Sequence, residues 1–64
     1  MANQGEDLFE QEYHQGLADF EAGQWGGAVH HLSIAAALRP ESHEVKERLR
    51  EARRRRKGDM ESYR

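Results

Sequence analysis

Apolar residues recur with the spacing of an α-helix in three separate stretches of the chain. Four in the first stretch are spaced by four, four and three positions, as on one face of a helix: Phe9, Tyr13, Leu17 and Phe20. Six continue the pattern in the second stretch: Trp25, Ala28, Val29, Leu32, Ala35 and Ala36. The third stretch has a narrower stripe of Val45, Leu49 and Ala52. No stretch alternates with a period of two, so the pattern predicts an all-α fold of three helices.

Helix-breaking residues separate these stretches. Glycines cluster at 23–27, and Pro40 disfavours helix at the residue before it. Ser42 is a suitable N-cap for the third helix, and Gly58 is a suitable end for it. The predicted helices are 6–22, 26–38 and 42–57. We expect one domain over residues 6–57, with a flexible N-terminus at 1–5 and a flexible C-terminal tail at 58–64.

Six residues across the first two helices have the offsets of a known repeat: Gly16, Gly23, Ala28, Leu32, Ala35 and Pro40. With them, the chain from Phe9 to Ser42 resembles one tetratricopeptide repeat, a helix–turn–helix unit of about 34 residues. Small residues at Gly16 and Ala28 would let the two helices approach closely, and Gly23 would end the first helix. The resemblance implies a helical hairpin followed by a third, capping helix.

The resemblance also implies binding rather than chemistry. Repeats of this family stack to form a groove that is lined by first helices and holds a peptide or a partner surface. The corresponding positions here are aromatic or acidic, with one histidine and one leucine: Glu10, Tyr13, His14, Leu17, Phe20 and Glu21. Three polar residues depart from the family by standing where large apolar residues are common: Glu12, Gln15 and Asp19. Either the first helix is rotated in its contact, or no preceding repeat covers it.

A single repeat buries its own apolar faces poorly, and short chains often oligomerise. We therefore expect a non-enzymatic protein–protein interaction module, a scaffold or adaptor that self-associates as a homo-oligomer. The partner-binding residues would be Phe9, Tyr13, Leu17 and Phe20. A homodimer, with or without exchange of the third helix, would cover these side chains. Alternatively, they form the monomer's own core, or the chain is a piece of a longer repeat array.

Charge introduces a second hypothesis. The chain has 64 residues and a net charge of −2, but residues 1–43 carry seven acidic residues against Arg39 alone, while residues 44–64 carry nine basic against five acidic. A basic run in the third helix is a possible anion-binding site: Arg53, Arg54, Arg55, Arg56 and Lys57. The alternative function is thus a small nucleic-acid or anionic-surface binder. Consecutive residues point all around a helix and no aromatic residue is interleaved, so we favour protein over nucleic acid as the partner.

The chain has few residues in patterns that suit metal binding or catalysis. There is no cysteine, and the adjacent His30 and His31 point to different sides of a helix, so we expect no metal and no cofactor. His14 and His31 could approach each other across the hairpin, but two ligands make a weak site. No glycine-rich phosphate loop or nucleophile with a nearby base is present, which argues against an enzyme. Because the longest apolar run is Ile34 to Leu38 and the N-terminus is not a secretion signal, we expect no membrane span and a cytoplasmic location.

Overall fold

The structure, a computed structural model, describes residues 4–61, with side chains described from 8 to 58. It confirms an all-α fold: α1 spans Gln4–Glu21, α2 spans Trp25–Leu38 and α3 spans His43–Glu61, with no strand in the described range. The first two helices form a hairpin, and the third packs on α2, which is therefore the middle element. No described helix has the length and apolarity needed to cross a bilayer.

The turn between α1 and α2 depends on Gly23. This residue has a φ of 77°, a left-handed conformation that L side chains rarely adopt. The amide of Gly23 donates to the carbonyl of Phe20 at 3.2 Å, and the amide of Gln24 donates to the carbonyl of Asp19 at 2.8 Å. This pair of hydrogen bonds is the Schellman arrangement, which satisfies carbonyls that a helix end otherwise leaves unpaired.

The connection between α2 and α3 also follows the prediction. Helix α2 ends at Leu38, before Pro40, and the amide of Arg39 closes its last turn by donating to the carbonyl of Ala35 at 3.0 Å. Ser42 lies directly before α3, and its Oγ accepts a long hydrogen bond of 3.5 Å from the amide of Val45. Glu44 lies in the first turn of α3, where the positive end of the helix dipole favours an acidic residue.

The outer ends of α1 and α3 differ from the prediction. Helix α1 begins at Gln4, and α3 continues past Gly58 to Glu61. Gly58 does not adopt a positive φ, and no proline follows it, so nothing in the backbone forces the helix to stop there. The rest of the expected flexible ends, residues 1–3 and 62–64, lies outside the described residues.

The core is built almost entirely from α2 and α3. Six hydrophobic residues are buried: Ala28, Leu32, Ala35, Val45, Leu49 and Ala52. Helix α1 contributes only Gly16 to the buried positions in the described range. A Cβ added to Gly16 would lie 2.8 Å from the side chain of Leu32 and 3.3 Å from its backbone nitrogen. The small residue therefore allows α1 to approach α2 closely, as the sequence predicted.

Candidate functional site

The four residues proposed to bind a partner share one side of α1, and all of them are half-buried. Tyr13 and Phe20 pack against the core cluster that includes Leu32 and Leu49. Phe9 stacks on Tyr13 with ring centroids 5.8 Å apart. The structure therefore brings Phe9 and Tyr13 together and places Tyr13 and Phe20 on the monomer's own core, but it buries none of the four completely.

Arginine side chains lie over the aromatic rings of this region. The guanidinium carbon of Arg39 is 4.7 Å from the centroid of the Phe9 ring, and that of Arg48 is 5.9 Å from the centroid of Phe20. Both distances lie within the range of cation–π attraction. Sequence reasoning missed these contacts because long arginine side chains on other elements reach the rings only after the helices have packed.

A hydrogen bond joins α1 directly to α3. The hydroxyl of Tyr13 donates to Oε2 of Glu44 at 2.7 Å. Burial of the hydroxyl and this bond to a carboxylate raise the pKa of Tyr13 above its ordinary value of 10.0, because both favour the neutral phenol, although nearby Arg48 acts in the opposite direction. Tyr13 therefore links the aromatic side of α1 to the first turn of α3.

Two of the three polar residues that depart from the repeat pattern lie against a histidine of α2. Nδ1 of His31 lies 2.6 Å from Oε1 of Glu12, and Nε2 of the same ring lies 3.9 Å from Oδ2 of Asp19. The side chains of His31, Glu12 and Asp19 are 27%, 17% and 22% exposed, so this contact is largely enclosed. Gly27 makes room for it, since a Cβ there would lie 2.5 Å from Oδ2 of Asp19.

This arrangement replaces the approach of His14 and His31 that the sequence allowed. The ring of His14 is exposed and lies beside Tyr13, with ring centroids 6.4 Å apart. Over the residues whose side chains are described, no group of three or more histidine, aspartate or glutamate residues is arranged to hold a metal ion.

The basic run of α3 is divided by its contacts. Oε2 of Glu51 accepts a 2.8 Å hydrogen bond from Nε of Arg55, and Oε1 of Glu51 lies 3.4 Å from Arg54. The guanidinium of Arg55 also lies 5.5 Å from the centroid of the Trp25 ring. The contacts of these two arginines with Glu51 partly neutralise their charges.

The other three basic residues line a groove between α2 and α3. Arg53, Arg56 and Lys57 surround Val29 in a groove of about 420 Å³, and none of them makes an ion pair with a described residue. The consecutive basic residues thus point in different directions, two toward Glu51 and three toward this groove. The stripe of Val45, Leu49 and Ala52 continues in spacing to position 56, so the helix turns the end of the run toward α2.

Two further basic residues extend this surface, and the sequence analysis missed them. Four exposed residues follow the spacing i, i+4, i+7 and i+11, and we call them the basic face: Lys46, Arg50, Arg53 and Lys57. At about 100° per residue they fall within about 60° of each other, and they extend over about 16 Å. The signal was present in the sequence as helical spacing, but the consecutive run of arginines obscured it.

Comparison of the chain with known protein families, with curated proteins and with solved structures gives no match.

Proposed function

We propose that this chain is a non-enzymatic protein–protein interaction module that resembles a tetratricopeptide repeat and acts as a self-associating scaffold or adaptor in the cytoplasm. One observation carries the proposal: α1 contributes no buried apolar side chain among its described residues, whereas α2 and α3 contribute six. A helix with an apolar stripe gains stability by burying that stripe. The apolar side of α1 therefore has surface left for a partner.

The proposed contact residues are Phe9, Tyr13, Leu17 and Phe20. Leu17 is the strongest candidate for a partner contact, because Tyr13 and Phe20 already pack against the core cluster and Phe9 lies beneath Arg39. A half-buried leucine in the middle of such a stripe suits the centre of an interface, where apolar side chains contribute most of the binding energy.

The size of the core supports self-association. Three of the six buried side chains are alanines, so the core removes little apolar surface from water for a chain of 64 residues. Single repeats of this kind gain stability from the neighbours on which they stack. A second copy of the chain could take the place of such a neighbour.

The test is the mass in solution, measured by sedimentation from about 1 to 500 μM, a range that covers weak protein association. We expect assemblies that grow with concentration in the wild-type protein and weaken in Leu17→Ser. The matched control is Ala18→Ser, which changes an exposed position beside it. A folded monomer at every concentration would contradict self-association.

A second candidate function rests on the groove around Val29. Three basic side chains converge there without an ion pair to a described residue, which suits an anionic ligand such as nucleic acid or an anionic surface. Binding of a single-stranded oligonucleotide that falls steeply with added salt and is lost when Arg53 and Arg56 are changed to Gln would favour this function. No such binding is expected if the chain acts through α1.

A further inference from the structure

The groove around Val29 combines an apolar floor with a basic rim. Val29 is half-buried and packs against the core cluster, while Arg53 and Lys57 beside it are exposed. The basic face continues from this groove along α3 through Arg50 to Lys46. A ligand that fits this surface needs an apolar group near carboxylates, because an apolar floor gains little from a purely ionic partner.

One side of α1 carries an apolar side chain and nearby carboxylates in one row. Glu10, His14, Leu17 and Glu21 follow the spacing i, i+4, i+7 and i+11, which is also the spacing of the basic face. Glu10 and Glu21 are exposed and make no ion pair with a described residue. Leu17 lies between them, one turn from Glu21 and two turns from Glu10. We call Glu10, Leu17 and Glu21 the acidic row.

We propose that the acidic row of one copy docks on the basic face of a second copy, with Leu17 seated over Val29 and Glu10 and Glu21 paired with basic residues of α3. The groove of about 420 Å³ has space for a leucine side chain. The inference rests on the proposed self-association and names the surface that receives Leu17.

Because the two docking surfaces differ and lie on different helices, the contact is heterologous. Each assembly keeps a free acidic row at one end and a free basic face at the other, so further copies add head to tail. The division of charge in the chain, acidic over 1–43 and basic over 44–64, matches this polarity.

The ionic contacts in this interface would be exposed to solvent, where each contributes little and is screened by salt. We therefore expect weak association that depends on ionic strength. Raising the salt from about 0.05 to 0.5 M should lower the association constant by roughly tenfold or more, because the Debye length falls well below the size of the interface.

The test uses two variants that each remove one surface. Glu10→Gln/Glu21→Gln disables the acidic row, and Arg53→Gln/Lys57→Gln disables the basic face. Each variant alone should be monomeric where the wild-type protein associates. Their mixture should form particles of two copies and no larger ones, because each chain keeps only one working surface. The control Glu41→Gln/Glu47→Gln removes two negative charges, as the acidic-row variant does, but from two other exposed positions, and it should associate like the wild-type protein.

The outcomes separate this inference from the proposed function. If the two variants associate like the wild-type protein while Leu17→Ser does not, the inference fails and self-association through α1 stands. If the wild-type protein is monomeric throughout, both fail. If the wild-type protein is monomeric and an oligonucleotide binds it in a manner that needs Arg53 and Lys57, the basic face serves nucleic acid instead. Circular dichroism of each charge variant should match that of the wild-type protein, because all the glutamates, arginines and lysines changed in these variants are exposed.

Discussion

Gly16 is the residue through which α1 reaches the core. A methyl group there would meet the side chain of Leu32, which is completely buried and cannot move aside easily. We expect Gly16→Ala to lower the free energy of unfolding by about 1 to 2 kcal/mol, since overpacking of a tight contact outweighs the gain in helix propensity.

Gly58 provides the matched control for this substitution. It also lies inside a helix, but a methyl group there would meet nothing within 4 Å. Gly58→Ala should therefore raise the free energy of unfolding by up to about 1 kcal/mol, which is the propensity difference alone. Urea denaturation followed by circular dichroism measures both. Equal stabilisation by the two substitutions would show that α1 does not approach Leu32 this closely.

Tyr13 gives a prediction about pH. Its pKa in the folded protein lies above the ordinary value of 10.0, chiefly because its hydroxyl is partly removed from water and secondly because it donates to Glu44. The folded state thus holds this proton more tightly than the unfolded state does. The stabilisation from Tyr13 is complete below pH 10.0 and is lost as the pH rises through the folded pKa.

The titration of Tyr13 can be followed by tyrosinate absorbance in a Tyr63→Phe background. We expect a midpoint above 10.0 that moves down, but not fully back, in Glu44→Gln. The shift remains in part because burial, its largest cause, is unchanged by that substitution. A midpoint at or below the ordinary value in the parent protein would contradict the contact between Tyr13 and Glu44.

At the scale of the element, α1 is held on α2 by a polar contact as well as by close packing. Glu12 and Asp19 both face His31, and all three side chains are largely enclosed. We expect His31→Leu to lower the free energy of unfolding by about 1 to 3 kcal/mol, because it leaves the enclosed carboxylate of Glu12 without its hydrogen-bond partner. The double variant Glu12→Leu/His31→Leu should lose less than the sum of the two single changes.

Denaturation of the single and double variants measures this coupling, with His43→Leu at the exposed start of α3 as the control. That substitution should change the free energy of unfolding by no more than about 0.5 kcal/mol. Additive effects of Glu12→Leu and His31→Leu would mean that the two side chains do not interact across the hairpin.

A structural feature could be predicted from the sequence where it depends only on neighbouring residues. Gly23 and Ser42 could be assigned from sequence because a left-handed turn and an N-cap depend on one residue and its immediate neighbours. The contact of His31 with Glu12 could not, because it requires the relative rotation of two helices. Gly58 misled the prediction because an exposed glycine weakens a helix without ending it.

The candidate site was predictable in its apolar positions and less so in its charges. Helical spacing placed Leu17 and its aromatic neighbours on one side of α1. The cover of Phe9 by Arg39 depends on how α1 packs on α2, and the groove that Arg53 and Lys57 form with Val29 depends on where α3 packs. Long flexible side chains have many rotamers, so the partner that each one chooses is decided only by the assembled fold.

At the scale of the whole molecule, a small core and a divided charge favour the same behaviour. Helix α1 lies in the acidic part of the chain and contributes no buried apolar side chain among its described residues. The basic part of the chain lines an open groove beside Val29 of α2. Binding that is specific to the folded state stabilises that state by mass action. Stability and assembly should therefore be linked in this protein.

This linkage predicts that the melting temperature depends on protein concentration. Above the dissociation constant, each tenfold increase in concentration adds up to about 1.4 kcal/mol per interface, which corresponds to a rise of roughly 5 °C or more for a chain of this size. Thermal unfolding followed by circular dichroism over a hundredfold range of concentration would measure it. The rise should be absent in Leu17→Ser and retained in Ala18→Ser. A melting temperature that stays constant in the wild-type protein would mean that the folded chain is stable by itself, and that the half-buried side of α1 is part of the monomer's own packing.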